Sequence, residues 1–190
     1  MPLVLYAHPF ASYCWKALIA LYESQTPFDY RVLNNPPALA ELAALWPLKK
    51  FPVLKDGDAV FIESTIIVEH LALSRPGPTR LIPEDAAAAT KVRFLDRVFD
   101  NYVHTPLQKI VSDFLRVVHE RDAKGVAEAL ADCAAAPALF YADWVHPIGE
   151  QFAGVRSYRQ RLLARPSVAR TVDEARPYRK YFPPGAPDRD

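Results

Sequence analysis

Short apolar runs alternate with helical periodicities in the first part of the chain, and helical stripes alone follow. Leu3-Val4-Leu5-Tyr6 is wholly apolar, the pattern of a strand covered on both faces of a sheet. Ala7-His8-Pro9-Phe10-Ala11-Ser12 breaks that run, and from Tyr13 the residues Trp15, Leu18, Ile19, Leu21 and Tyr22 recur at helical spacing to about Ser24. Phe28 to Leu33 alternates apolar and polar and predicts a second strand, so the first elements form a right-handed βαβ unit. Pro36-Pro37 opens a helix through Leu39, Leu42 and Leu45.

Phe51, Val53 and Leu54 and then Val60, Phe61 and Ile62 flank Asp56-Gly57, a strong hairpin signal. Pro52 gives a sheet no N–H, so it belongs at the first residue of its strand or just before it, and the sequence leaves its cis or trans state open. Ser64 is placed as the N-cap of a helix over Thr65 to Leu73, which then opens beside the Glu63 carboxylate. Free N–H groups at such an opening suit a carboxylate or phosphate.

Ser74 to Pro83 holds three prolines and a glycine and separates two kinds of pattern, which predicts domains at 1–75 and 85–190 with a linker at 76–84. Beyond it no strand is convincing. Pro83-Glu84-Asp85 is a good helix start, and an apolar stripe runs from Leu95 through Val98, Phe99, Tyr102, Val103, Leu107, Ile110, Val111 and Phe114 to Val118. Pro106 lies inside that stripe, so either a kinked helix or two abutting ones would satisfy it. Helices near Leu130 to Val145, Val155 to Leu163 and Ser167 to Glu174 complete an all-α second domain, with an irregular tail from Tyr181.

A chain of 190 residues buries a sound core without disulfides or metals. Its 23 basic and 22 acidic residues leave a net charge of +1, which argues against a polyanion such as nucleic acid as the main partner. Cys14 and Cys133 have neither C-x-x-C nor metal-ligand spacing, so no metal is expected and a reduced, cytoplasmic protein is the simplest reading. Neither a basic leader nor a membrane-length apolar run is seen.

Candidate chemistry gathers at the helix openings. Ser12, just ahead of the first helix, can donate a hydrogen bond to a ligand thiol and favour its thiolate; an ordinary N-cap is the alternative. Cys14 lacks the partner cysteine that thiol exchange needs, since Ala11 stands there, and reads as a buried, inert thiol. Lys50 can meet a carboxylate, and Glu63 with Ser64 an amino group and a second carboxylate. Solvated surface charge is the competing account of the Lys49-Lys50 pair. His8, Tyr102 and His104 are either pocket residues or hydrogen-bonded parts of the core. No Gly-rich phosphate loop, H-E-x-x-H or Gly-x-Ser-x-Gly is present.

Trp46-Pro47-Leu48-Lys49-Lys50-Phe51-Pro52-Val53-Leu54 and Glu63-Ser64 resemble the glutathione site of the glutathione transferase family, and the resemblance extends over nearly the whole chain. It implies a thioredoxin-like α/β domain of order βαβαββα with a cis-proline, followed by an all-α domain. It also implies glutathione as co-substrate, a small electrophile as second substrate, and a homodimer, with neither membrane nor nucleic acid involved. Ala11-Ser12-Tyr13-Cys14-Trp15-Lys16 looks similar to the bacterial serine-type, zeta-like enzymes, which makes Ser12 the activating residue.

The same resemblance puts Phe10, Lys50, Phe51, Pro52, Val53, Glu63 and Ser64 around glutathione. Lys50 would lie at the glycyl carboxylate, Val53 would pair its backbone with the cysteinyl amide, and Glu63 and Ser64 would hold the γ-glutamyl end. His8, Tyr102 and His104 would line the second-substrate pocket in a cleft between the domains. The zeta-like pattern has serine at both positions matching Ala11 and Ser12. If the first is the essential one, Tyr6, Cys14 or a backbone N–H must take over. The family also has a further helix and a Ser/Thr-x-x-Asp cap before its buried helix. Here that position reads Ala129-Leu130-Ala131-Asp132, and a junction within Lys124 to Leu130 is expected, from a deletion or from omitted residues. A non-catalytic binding module and a zeta-type glutathione-dependent isomerase are the rival functions.

Overall fold

The computed structural model describes residues 3–124, 126, 140–145, 147–183 and 185–188. The expected junction at Lys124 to Leu130 lies almost wholly outside the described residues. Two compact units are present: Met1–Ala89 with Asp173–Arg176, and Thr90–Val172 with Pro177–Asp190.

The first unit runs β1 (Leu3–Ala7), α1 (Ser12–Glu23), β2 (Phe28–Val32), α2 (Pro36–Leu45), β3 (Val53–Asp56), β4 (Ala59–Ile62) and α3 (Ser64–Ser74), the expected βαβαββα order. Its sheet has the strand order β2-β1-β3-β4. β1 is parallel to β2 and antiparallel to β3, and β3 is antiparallel to β4. An apolar β1 is what a strand with neighbours on both edges and helices on both faces requires.

Alternation along β1 divides the core. Leu3, Leu5 and Ala7 pack with Leu18, Leu21, Leu54, Ile67 and Leu71 on the face that α1 and α3 cover. Tyr6 and Val53 point the other way, onto Leu33, Ala38 and Leu42 beside α2. Asn35 caps α2, its Oδ1 accepting from the Ala38 N–H at 3.0 Å, and the prolines occupy the first helical positions. The hairpin turns on Gly57-Asp58, one residue later than the Asp56-Gly57 signal, with Gly57 at φ 60°. Asp56 closes β3 and is left to accept from His70 at 3.0 Å and Arg75 at 2.9 Å. That pairing ties the hairpin to the last turns of α3.

Two further contacts finish this unit. Gly77 lies so close to the Ser24 backbone that any side chain there would overlap it. Tyr22 donates its hydroxyl to the Glu174 carboxylate, whose oxygens lie 2.9 and 2.8 Å away, bonding α1 to the segment near the end of the chain.

Beyond the sheet the described elements are helical: α4 (Ala86–Phe99), a π-helical turn (Asp100–His104), α5 (Thr105–Phe114), α6 (Phe140–Val145), α7 (Ala153–Leu163) and α8 (Pro166–Ala175), with short 3₁₀ turns at Val118–Glu120, Glu150–Phe152 and Arg176–Tyr181. Asp85 caps α4, accepting from the Ala88 N–H at 2.8 Å. The apolar stripe thus follows one continuous helical path, in which a π turn joins α4 to α5. The π turn carries the Thr105 N–H back to the Asp100 carbonyl just before Pro106, whose missing N–H would have left an α-helical ladder open. Val103, Leu107 and Ile110 of the stripe are buried, whereas Leu95, Tyr102 and Val118 are exposed. In the second unit Asp143 lies 3.4 Å from the buried Arg159 and accepts from the Ile148 N–H at 2.8 Å.

Candidate functional site

Three loops leave the sheet at one end. Tyr6 of β1 pairs with Val53 of β3, and Val53 with Ile62 of β4, so these residues form one row across the sheet. From that row β1 runs out through His8 into Ser12, β3 is entered from Lys50-Phe51-Pro52, and β4 runs out into Glu63-Ser64. Register alone therefore gathers Ser12, Lys50, Pro52, Glu63 and Ser64 at the same sheet end. Lys16, one turn after Ser12, donates from Nζ to Thr65 Oγ1 at 3.0 Å, which joins the openings of α1 and α3.

The loop into α1 is tightly held. Trp15 Nε1 donates to the Pro9 carbonyl at 2.7 Å, Ala11 N–H donates to the His8 carbonyl at 3.0 Å, and Phe10 N–H donates to His8 Nδ1 at 3.2 Å. Burial lowers the pKa of His8, which agrees with a neutral ring whose Nδ1 accepts. Ser12 is the first helical residue, 9% exposed, and the N-cap is Ala11 in extended geometry with no side-chain acceptor to offer. The N-cap alternative for Ser12 thus falls to Ala11.

A similar shift occurs at α3. Glu63 is the N-cap, at φ 66°, and Ser64 is the buried first helical residue, so Ser64 does not cap as expected. A non-glycine residue in that left-handed region costs about 1–3 kcal/mol, held in place by its surroundings. The Glu63 side chain does not cap the helix and is exposed.

The peptide bond before Pro52 is cis, and Pro52 is buried just ahead of β3. Phe51 is 39% exposed, and Lys50 is exposed beside it. Val53 is fully buried between β1 and β4. Neither α1 nor α3 has an acidic residue in its first turn. Two positive helix ends open at this sheet end, with the exposed Lys50 and Glu63 beside them, an arrangement that can favour a bound anion.

Residues 5–79 match the glutathione S-transferase N-terminal domain family. That match assigns the first unit, and not the whole chain, to the glutathione S-transferase N-terminal domain family. Among curated proteins it is similar to glutathione S-transferase theta-1 of Bos taurus, 31% identical over 115 residues, covering 57% of this chain and 45% of that one. It is also similar to a probable maleylacetoacetate isomerase of Vibrio cholerae serotype O1, 33% identical over 100 residues, covering 50% of this chain and 46% of the relative. The chain thus spans a little under half the length of the curated relatives it matches. A glutathione S-transferase from Methylobacillus flagellatus with GSH bound shares its fold at a TM-score of 0.76 and 20% identity, over 89% of this chain and 98% of that one. The theta-class enzyme of Xanthomonas axonopodis pv. citri with glutathione bound does so at 0.68 and 22%, over 90% and 98%.

Within residues 5–79 the alternatives to Ser12, Tyr6 and Cys14, are placed elsewhere. Tyr6 points to the α2 face, where its hydroxyl donates to Glu41 Oε2 at 3.1 Å, and burial with that carboxylate raises its pKa. Cys14 is fully buried, and burial pushes its thiol up to about 12. The Tyr6 hydroxyl is thus engaged on the α2 face and the Cys14 thiol is enclosed in the core. Ser74, His70 and Asp56 lie together near the hairpin, yet hydroxyl and carboxylate both meet the same His70 Nε2, which is not the relay of a hydrolase.

Tyr102 and His104 belong to the π turn of the second unit, Tyr102 64% exposed and His104 Nδ1 4.0 Å from Asp100 Oδ1. Among the described residues no group of three or more His, Cys, Asp or Glu could hold a metal, and no helix is long and apolar enough to cross a membrane. Sequence reasoning missed Lys16. Its spacing of four residues from Ser12 was the available signal.

Proposed function

We propose that this chain is a glutathione S-transferase family member that binds glutathione at the end of its sheet, favours the thiolate there, and adds it to a small electrophile. One observation carries the reading: the Tyr6, Val53 and Ile62 row, which delivers the helix openings and the Lys50-Phe51-Pro52 segment to one place. In this reading Ser12 and the first turn of α1 receive the thiol, Ser64 and Glu63 receive the γ-glutamyl end, and Lys50 receives the glycyl carboxylate.

The main-chain partner of the cysteinyl residue moves from Val53 to Phe51. Val53 has a strand on each edge, so its N–H and C=O face β1 or β4, whereas Phe51 precedes the ladder. Phe10, Pro52 and Val53 then shape the floor, and His8 stays a candidate for the second substrate. The similarity to a probable maleylacetoacetate isomerase favours, as a second reading, a glutathione-dependent isomerase using the same seat. The Ala11 cap favours a binding module that has lost turnover. We place the protein in the cytoplasm as a homodimer, with exposed Val60, Ile66 and Leu73 on and beside the edge strand β4 as the apolar surface that a second copy would cover.

Calorimetric titration with glutathione, followed by conjugation and double-bond isomerisation assays, tests these readings. Binding with conjugation is the expected result. Binding with isomerisation alone selects the second reading, binding without turnover selects the module, and no heat at millimolar glutathione ends the proposal. Sedimentation checks the dimer.

A further inference from the structure

We infer that Lys16 is a positioning residue, whose ammonium ties the first turn of α1 to the first turn of α3 and sets the spacing at which Ser12 and Ser64 engage one ligand. This rests on the glutathione reading above. Residues four apart share a helix face, and helical side chains lean toward the N-terminus, so the Lys16 stem runs back along α1 toward the turn of Ser12. Its Nζ donates at 3.0 Å to the hydroxyl of Thr65, the residue after Ser64. The bodies of the two helices are held apart from this bond, by Leu18 and Leu21 packing with Ile67 and Leu71. The lysine acts where that packing stops, at the mouths that a ligand must bridge. It also acts next to Glu63, whose left-handed backbone fixes how Ser64 is presented. An ammonium has three donors and a flexible stem, which lets one group brace a hydroxyl on another helix while keeping a full positive charge near the seat.

The test is a double-mutant cycle on the full chain, with Lys16→Met, Thr65→Val and the pair, plus Lys16→Arg as the conservative variant. Affinities for glutathione and S-methylglutathione are measured by calorimetry well below each variant's melting temperature. A hydrogen bond from a charged donor is expected to be worth about tenfold in affinity, lost in Lys16→Met and similarly in Thr65→Val. The pair should lose no more than Lys16→Met alone, because both changes remove one bond, and Lys16→Arg should recover most of the loss. Both ligands should weaken equally, since spacing and not the thiol is at stake.

Wild-type affinity in Lys16→Met, additive losses in the pair, or a lowered melting temperature with unchanged affinity would each overturn the role of Lys16. If Lys16→Met does not fold, Thr65→Val decides, because it exchanges one hydroxyl for a methyl. Failure of the wild type to bind glutathione overturns the functional reading instead, and the two failures are read from different proteins.

Discussion

Ser12→Ala and Tyr6→Phe, measured side by side, separate the two hydroxyls nearest the end of β1. Ser12 opens α1 at the sheet end, whereas the Tyr6 hydroxyl is turned to the α2 face and spent on Glu41 at 3.1 Å. A hydrogen bond to a charged group is worth about 1.5–3 kcal/mol net, and about 1.36 kcal/mol corresponds to one pKa unit. Removing the Ser12 hydroxyl should therefore raise the pKa of bound glutathione's thiol by roughly one to two units.

The rate falls less than the thiolate population does, because a more basic thiolate is also more nucleophilic, with a Brønsted slope of about 0.4–0.5. The net loss in kcat/KM at neutral pH is then about three- to fifteenfold, and it closes as the pH rises past the thiol pKa. Tyr6→Phe should leave the profile in place and cost about 0.5–1.5 kcal/mol of stability. The assays are the pH dependence of conjugation to an aryl halide and the ultraviolet absorbance of the bound thiolate. A thiol titration unmoved in Ser12→Ala, or shifted in Tyr6→Phe, refutes the assignment.

Cys14 should resist iodoacetamide in the native protein and react only on unfolding, as read by peptide mass spectrometry. Its folded pKa is raised, so it also subtracts stability as the pH climbs past the ordinary thiol range toward about 12. Gly77→Ala forces a methyl into the Ser24 backbone and should cost about 1–3 kcal/mol, a fall of roughly 2–12 °C in melting temperature by calorimetry. Asp56 is held below the usual carboxylate range by its hydrogen bond to His70 and by Arg75. Its stabilisation is therefore complete above the unfolded value of about 3.9 and lost as the pH falls through the lower folded value. Asp56→Asn should flatten the acid limb of a melting-temperature profile, and an unchanged limb would refute the role.

Much of the first unit was legible because its signals are local. Apolar β1, the Pro36-Pro37 helix start and the hairpin each occupy a few consecutive residues whose pattern admits one element. The caps were misplaced for a physical reason: Ser12 and Ser64 have ideal capping side chains, but Ala11 and Glu63 are the residues with non-helical backbone. Propensity ranks residues and cannot see that Glu63 takes a positive φ where the chain leaves β4. Pro106 foretold a break, while the π turn that absorbs it depends on the backbone path. The inward or outward direction of Tyr6 followed only once register fixed which face of β1 meets which helix. The spacing of Lys16 from Ser12 is a local signal, but the Thr65 partner that gives it meaning is far along the chain, and no local rule connects α1 to Thr65.

The bond from Tyr22 to Glu174 has a bearing on how the protein is made. The amino-terminal unit recruits Asp173–Arg176, translated long after Ala89. At about 5–20 residues per second a ribosome needs on the order of ten seconds to supply that last piece. Until then the nascent sheet waits with the Tyr22 hydroxyl lacking its Glu174 acceptor, and a fragment ending at Ala89 would stay in that unfinished condition permanently.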